Sequence, residues 1–311
     1  MPFFSVVIPL YNKEAYIADT LNSVLNQTFE DFEVIIVNDG STDGSLEMAS
    51  SFKDQRIKIF NQINQGASVA RNNGIEQAQS EFIALLDADD IWYKNHLEEL
   101  KKLIETFPEA GLFCSRYKTK ISKKRMVKHD FGGFIDKDYR GIVPDFFKAS
   151  LVDRVAHTSA IVVPKNTFNE YGGFEKTISS GQDLDLWIRI AANCEVVISN
   201  ETTCIYRFEI PASLSKTPII SKQLVDFKKY EELEKRNKSL KQFLDLYRLE
   251  YAIHYRVGGN LLKSKEMLND IKSYIPLIPK ILLTLPPIIL KTLLIIKHRL
   301  KKAGIVFTIY R

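Results

Sequence analysis

Four short apolar runs punctuate the first 90 residues: Phe3–Pro9, Phe32–Val37, Ile57–Phe60 and Phe82–Leu86. Runs this short and this apolar suit strands buried on both faces. Between them, Lys13–Gln27 places Ile17, Leu21, Val24 and Leu25 on one helical face, and Ser45–Phe52 and Gly66–Gln77 read as two further helices. This alternation predicts an α/β fold with a mostly parallel central sheet flanked by helices on both faces. Ligands on such sheets bind beyond the carboxyl ends of the strands. Three segments leave that edge and are expected to converge on one crevice: Pro9-Leu10-Tyr11-Asn12, Asn38-Asp39-Gly40 and Asp87-Ala88-Asp89-Asp90.

Beyond Asp90 the pattern is less regular. Lys94–Phe107 and Leu184–Asn193 read as helices, and Ala110–Cys114, Ala160–Val163 and Glu195–Ile198 as strands. Arg116–Gly141, polar and basic, is expected to form a loop or hairpin over the site. From Ile219 to Asp270 the chain becomes helical and charge-rich, with Gly258-Gly259 as a break. The expected organisation is a catalytic unit over residues 1–215, with a nucleotide-binding half (1–110) and an acceptor half (111–215). A helical, basic C-terminal region (216–311) follows.

Composition narrows the class. Of 311 residues 45% are apolar and 26% charged, which excludes a globally disordered chain. Three unpatterned cysteines, Cys114, Cys194 and Cys204, make neither a disulfide framework nor a zinc site and read as buried thiols. Met1–Leu10 has no basic segment or long apolar stretch, so it reads as a strand rather than a signal peptide, and a cytoplasmic protein is expected. From Lys216 onward 20 basic residues face 8 acidic ones, whereas residues 1–215 hold 23 basic and 30 acidic residues. A basic tail on an acidic body points to an anionic partner such as a membrane surface or nucleic acid.

The strand-end carboxylates carry the candidate chemistry. A leaving diphosphate, such as that of a nucleotide-sugar, needs a cation, and Mg2+ or Mn2+ prefers carboxylate and phosphate oxygens. Asp87-Ala88-Asp89 follows the strand Phe82–Leu86, and alternate residues there can aim two carboxylates into one site. Asp89 is assigned to the metal, and Asp87 to the ribose and the metal shell. The plain alternative is that Asp89 and Asp90 cap the next helix. Asp39, in a turn rich in Gly, Ser and Asp, is a candidate acceptor for a uracil N–H, against ordinary turn chemistry. Arg71 can meet a phosphate or orient a carboxylate, and Gly66 lets backbone approach closely. Asp183, within Gln182-Asp183-Leu184-Asp185-Leu186-Trp187, is placed at a helix start either as a general base or as a cap.

Four segments in register resemble family 2 glycosyltransferases: Ser5–Asn12, Val34–Asp43, Gly66–Gly74 and Leu86–Asp90. The close match covers residues 4–92, with a weaker one to about residue 215. The resemblance implies an A-type glycosyltransferase fold and transfer of a sugar from a nucleotide-sugar, a UDP-sugar, with inversion at the anomeric carbon. It implies nucleotide contacts from Pro9, Tyr11, Glu14, Asp39 and Arg71, and metal and diphosphate roles for Asp87 and Asp89. It also implies a base at Asp183, where Gln182 replaces the glutamate of the family's Glu-Asp pair. Tyr206-Arg207 and Ser213-Leu214-Ser215 look like the end of the catalytic unit, where a loop can close over the diphosphate. A histidine common near there is Glu209 here. The Gln-x-x-Arg-Trp signature of processive members is absent, which favours single additions of a hexosyl or N-acetylhexosaminyl group to a glycan or lipid-linked acceptor.

Other classes fit less well. A nucleotidyltransferase wants a Gly-rich, basic phosphate loop after the first strand, and Pro9-Leu10-Tyr11-Asn12 is not one. A Rossmann dehydrogenase would carry Gly-x-Gly-x-x-Gly there. A nucleic-acid module would need a recognition motif beside the basic tail, and none is present. The tail itself has a longest uncharged run of ten residues, Ile281–Leu290, broken at Pro286-Pro287. A spanning helix needs about 20 residues. Residues 275–302, with Lys291, Lys297, Arg299, Lys301 and Lys302 among leucines and isoleucines, are therefore expected to lie in the plane of a membrane surface. The alternative is packing on the catalytic unit or on a second subunit of a homo-oligomer.

Overall fold

The computed structural model describes residues 1–210, 222–273 and 277–303. Its first half follows the alternation of the sequence: β1 (Phe4–Leu10), α1 (Glu14–Leu25), β2 (Phe32–Asp39), α2 (Ser45–Ser51), β3 (Ile57–Gln62), α3 (Ala67–Gln77) and β4 (Phe82–Leu85). The four strands are parallel in the order β3-β2-β1-β4, with Val6 opposite Val34 on one side and Ala84 on the other. Because successive side chains point to opposite faces, β1 feeds two cores. Val6 and Ile8 pack with Ile17, Leu21 and Val24 of α1, while Val7 packs with Ala70 and Ile75 of α3 on the other face. Full burial of each of the valine, leucine and isoleucine side chains among these contributes about 1.5–3 kcal/mol. Gly74 lets α3 lie directly on β1, since a Cβ there would sit 2.4 Å from Val7 Cγ1.

The second half is mixed. It comprises β5 (Ile91–Trp92), α4 (His96–Thr106), β6 (Leu112–Ser122), β7 (Arg125–Lys128), β8 (Gly141–Ile142), α5 (Phe146–Ala149), β9 (Ile161–Pro164), α6 (Lys165–Tyr171), α7 (Gln182–Ala191) and β10 (Val196–Arg207). The sheet continues from β4 as β9-β6-β10-β5, with β7 on β6 and β8 on β10. β9 is antiparallel to both neighbours, whereas β6 and β10 are parallel. Both β6 and β10 run well past the apolar cores that mark them in sequence. Buried polar residues such as Arg116, Thr119, Thr203 and Arg207 extend them, and polar residues carry no strand signal. The expected loop or hairpin after Arg116 is the β6–β7 hairpin and its continuation.

A helical extension follows: α8 (Glu231–Arg236), α9 (Lys238–Val257), α10 (Leu261–Asn269), α11 (Leu277–Thr284) and α12 (Pro287–Ala303). Gly258-Gly259 separates α9 from α10, and Leu285-Pro286 separates α11 from α12, at the breaks expected. α9 is no loose appendage. Leu240, Phe243, Leu244 and Tyr251 share a core with Leu184 and Trp187 of α7. A buried network braces it: Arg248 bonds Glu234 and Asp245, and Asp245 Oδ2 accepts the Lys272 and Ser273 N–H groups at 3.1 and 2.8 Å. α12 buries Leu290 against Leu249 and Ile253 but leaves Ile288, Ile289, Leu293, Ile295 and Ile296 exposed. Among the described residues no helix is long and apolar enough to cross a membrane. The Ser213-Leu214-Ser215 segment lies outside the described residues.

Candidate functional site

The three strand-end segments do meet. β1 and β2 end at Leu10 and Asp39 on the same edge at which β4 delivers Asp87 and Asp89. Asn12 takes a positive φ of 50° and its Oδ1 accepts the Thr42 N–H at 2.8 Å, which joins the first two segments. Asp39 is 3% exposed, and both its oxygens are engaged. Oδ1 accepts from Gln62 Nε2 (2.7 Å) and the Gln65 N–H (2.8 Å), and Oδ2 from the Gly66 N–H (2.9 Å). The carboxylate thus shapes the turn into α3, and Gly66, at φ 89° with open space around it, completes that turn. Glu14 accepts the Gly44 N–H at 3.1 Å and buttresses the turn after β2. Pro9 sits in β1 beside Val37, and Tyr11 is 45% exposed at the mouth of the crevice.

The carboxylates carry paired cations. Arg71 Nη2 donates to Asp87 Oδ1 at 2.5 Å, and Lys13 Nζ to Asp89 Oδ2 at 2.5 Å. Burial works against ionisation of Asp87, but the Arg71 charge and hydrogen bond, with His157 and Lys13 nearby, hold its carboxyl below the usual range. At Asp89 burial dominates, and with the Asp87 charge it outweighs Lys13 and pushes the carboxyl up. Ala88 is buried, and its carbonyl accepts Thr20 Oγ1–H at 3.0 Å, which fixes the segment to α1. Neither Asp89 nor Asp90 caps the following helix, whose N-cap is Asn95. Asp90 is instead a buried strut that accepts from Ser159 Oγ (2.5 Å) and the Arg207 N–H (2.9 Å).

Arg71 is 6% exposed, and its Nε and Nη1 have no partner among the described residues; the same holds for Ser68 Oγ one turn earlier. Buried donors left unpaired cost about 1–3 kcal/mol each, and the guanidinium lies over the Phe174 ring at 5.1 Å, so these groups could meet an acceptor brought by a ligand. The carboxylates suit a hard divalent cation. Their oxygens are the preferred donors, burial and then the Asp87 charge raise Asp89, and an ammonium already stands at Asp89. No cluster of three His, Cys, Asp or Glu side chains accompanies them among the described residues, so further ligands would come from a phosphate.

Asp183 is the second residue of α7. Gly181, in the left-handed region, occupies the N-cap position, and Asp183 Oδ1 accepts the first-turn Leu184 N–H at 2.8 Å. Its Oδ2 lies 3.5 Å from Arg154 Nη1, and its side chain is 28% exposed. Asp185 has the opposite environment. It is fully buried and bonded to Tyr230, Arg189 and Lys229, so it anchors α7. Asp183, Arg154, Trp187 and Tyr247 line one hollow, and Arg154 and Tyr247 with Ser150, Phe243 and Glu250 line an adjoining cavity of about 140 Å³.

Sequence reading passed over two neighbours of the site. Lys13 directly follows the Tyr11-Asn12 segment, and a cation beside a strand end was a usable signal. His157 gave none. It reaches the site because β9 runs antiparallel to β4, with Leu85 opposite Ile161, so that the residues before β9 lie beside those after β4. The Asp87 N–H accordingly donates to Ser159 Oγ at 3.1 Å.

The chain is similar to known proteins. Over 193 residues, 60% of this chain, it is 35% identical to an uncharacterized glycosyltransferase of Rickettsia felis, of which the match spans 30%. Over 101 residues it is 45% identical to the putative teichuronic acid biosynthesis glycosyltransferase TuaG of Bacillus subtilis, with 32% of this chain and 40% of that protein covered. The chain thus spans less than half the length of either curated relative. The crystal structure of S. aureus TarS 1-349 in complex with UDP-GlcNAc superposes with a TM-score of 0.64 over 86% of this chain and 81% of that one, at 19% identity, which establishes a shared fold. The sequence model of glycosyl transferase family 2 matches residues 5–180, more than half of the chain, and the chain belongs to that family.

Proposed function

We propose that the protein is an inverting, metal-dependent glycosyltransferase. It would move a hexosyl or N-acetylhexosaminyl group from a UDP-sugar to a hydroxyl of a glycan or lipid-linked acceptor in bacterial surface-polysaccharide synthesis. The observation that carries this reading is that one short segment joins two acidic centres: Arg154 pairs with Asp183, and Ser159 Oγ accepts the Asp87 N–H. Asp87 and Asp89 stand with their cations at one centre, and Asp183 is partly exposed beside a hollow at the other. An inverting transfer needs this polarity, a charge-neutralised leaving group on one face of the sugar and a base on the opposite face.

Residues 1–110 would hold the donor. Arg71 brings its unpaired donors to the nucleotide, with Tyr11, Asp39 and Gly66 around the base and ribose, and Pro9, Glu14 and Ala88 holding the surrounding turns. Mn2+ or Mg2+ held by Asp87 and Asp89 would neutralise the leaving diphosphate. Asp183 takes the proton of the acceptor hydroxyl as its oxygen bonds the anomeric carbon and the bond to the diphosphate breaks. Residues 111–215 together with α9 would shape the acceptor side, since Tyr247 and Phe243 line the cavity beside Arg154. TuaG and TarS with UDP-GlcNAc support a cell-envelope glycan and a UDP donor.

The tail supports a second element of the reading. From Ile271 to Arg311 the chain has no acidic residue and eight basic ones, and the exposed isoleucines of α12 lie among them. Such a surface fits peripheral binding to an anionic cytoplasmic membrane face. Calorimetry with UDP and Mn2+, followed by hydrolysis of a panel of UDP-sugars without acceptor, tests the core of the proposal. Absence of UDP binding would remove it.

A further inference from the structure

We infer that His157 donates a hydrogen bond from Nε2 to the sugar being transferred, and so positions the donor sugar; this rests on the function proposed above. In an inverting displacement the leaving oxygen and the attacking oxygen lie on opposite faces of the anomeric carbon. The transferred sugar must therefore sit between the diphosphate, at Asp87 and Asp89, and the base, at Asp183. His157 is tied to both: two residues on, Ser159 Oγ accepts the Asp87 N–H at 3.1 Å, and the His157 ring packs on Tyr117, whose hydroxyl bonds the carbonyl of Arg154, the partner of Asp183.

The ring is held so that one edge is left for a ligand. Tyr117 lies 4.7 Å from it on one side and Tyr206 4.6 Å on another, centroid to centroid. Nδ1 accepts the Ser159 N–H at 3.2 Å, which caps the short 3-10 turn Thr158–Ala160 and puts the ring proton on Nε2. Nε2 has no protein partner among the described residues, yet the residue is half-buried rather than sealed. Burial drives the pKa down to about 4 despite the neighbouring carboxylates, so at neutral pH the ring is uncharged. A neutral N–H suits a sugar hydroxyl or amide oxygen. The two tilted aromatic contacts and the cap hold its direction, so little conformational freedom is lost when the sugar binds.

Asparagine and glutamine separate this role from a structural one. The Asn Oδ1 can replace Nδ1 at the Ser159 cap but cannot reach the Nε2 position, whereas the Gln amide reaches the Nε2 position and leaves the cap empty. Binding of UDP alone, and hydrolysis of UDP-glucose and UDP-N-acetylglucosamine with Mn2+, are measured for wild type, His157→Asn and His157→Gln. Expected is UDP affinity within about twofold in all three. His157→Asn should lower kcat/KM for the better of the two donors about tenfold, the scale of one neutral hydrogen bond, and His157→Gln should recover most of it. Wild-type kinetics in His157→Asn with a defect in His157→Gln would show that the histidine only caps its turn and would overturn the inference. Failure of the wild type to bind UDP would instead defeat the functional reading beneath it.

Discussion

Lys13 Nζ lies 2.5 Å from Asp89 Oδ2, so the residue that opens α1 neutralises the acid assigned to the metal. Asp89→Ala is expected to abolish sugar transfer and the metal-dependent part of UDP binding while the cooperative thermal transition persists. Calorimetry with UDP in the presence and absence of Mn2+ measures this. An unchanged metal effect would exclude Asp89 as a ligand.

Arg71→Ala should weaken UDP binding about 10–100-fold, since hydrogen bonds from a charged, buried donor contribute roughly 1.5–3 kcal/mol. The side chain is 6% exposed with two nitrogens unpaired, so Lys, with its single point charge, should restore only part of the loss. Equal affinities for wild type and Arg71→Ala would mean that the guanidinium serves Asp87 alone.

The two acids of α7 should separate cleanly. Asp183→Asn is expected to cut turnover roughly 10²–10⁴-fold with donor affinity and stability preserved. Asp185→Ala removes a fully buried carboxylate bonded to Tyr230, Arg189 and Lys229, and should cost roughly 3–5 kcal/mol of stability. Urea unfolding read beside kinetics distinguishes them. Full turnover in Asp183→Asn would move the search for the base elsewhere.

Gly74→Ala should destabilise although alanine is the better helix former by about 1 kcal/mol. Its Cβ would meet Val7 Cγ1 at 2.4 Å, and overpacking of a filled core costs roughly 1–3 kcal/mol. A raised thermal midpoint would show that α3 can lift off β1 at little cost.

The double substitution Ile288→Asp and Ile296→Asp places acids on exposed positions of α12, 76% and 44% accessible. It should abolish flotation with anionic vesicles and leave flotation with neutral ones, expected to be weak, unchanged. Equal flotation of the variant and the wild type would exclude this face as the anchor.

The sequence by itself determined the parallel first half of the sheet. Strands such as Phe4–Leu10 and Phe32–Asp39 are apolar on both faces, the helix between them carries one apolar stripe, and parallel connection puts the strand ends on one edge. Local pattern and chain direction therefore placed Asp39, Asp87 and Asp89 together before any coordinates. It left Asp183 as either base or cap and could not show that Asp185 is buried, because that burial depends on Tyr230 and Lys229, more than 40 residues away. Tertiary structure decided the rest. Polar strand residues such as Arg116 and Arg207 are buried through pairing and ion contacts that no periodicity reports. The antiparallel insertion of β9 next to β4 brings His157 to the crevice, and α9 closes on Asp183's side through a shared core. These are contacts of high sequence separation, fixed by which surfaces fit once the first sheet has formed, so no window of sequence contains them.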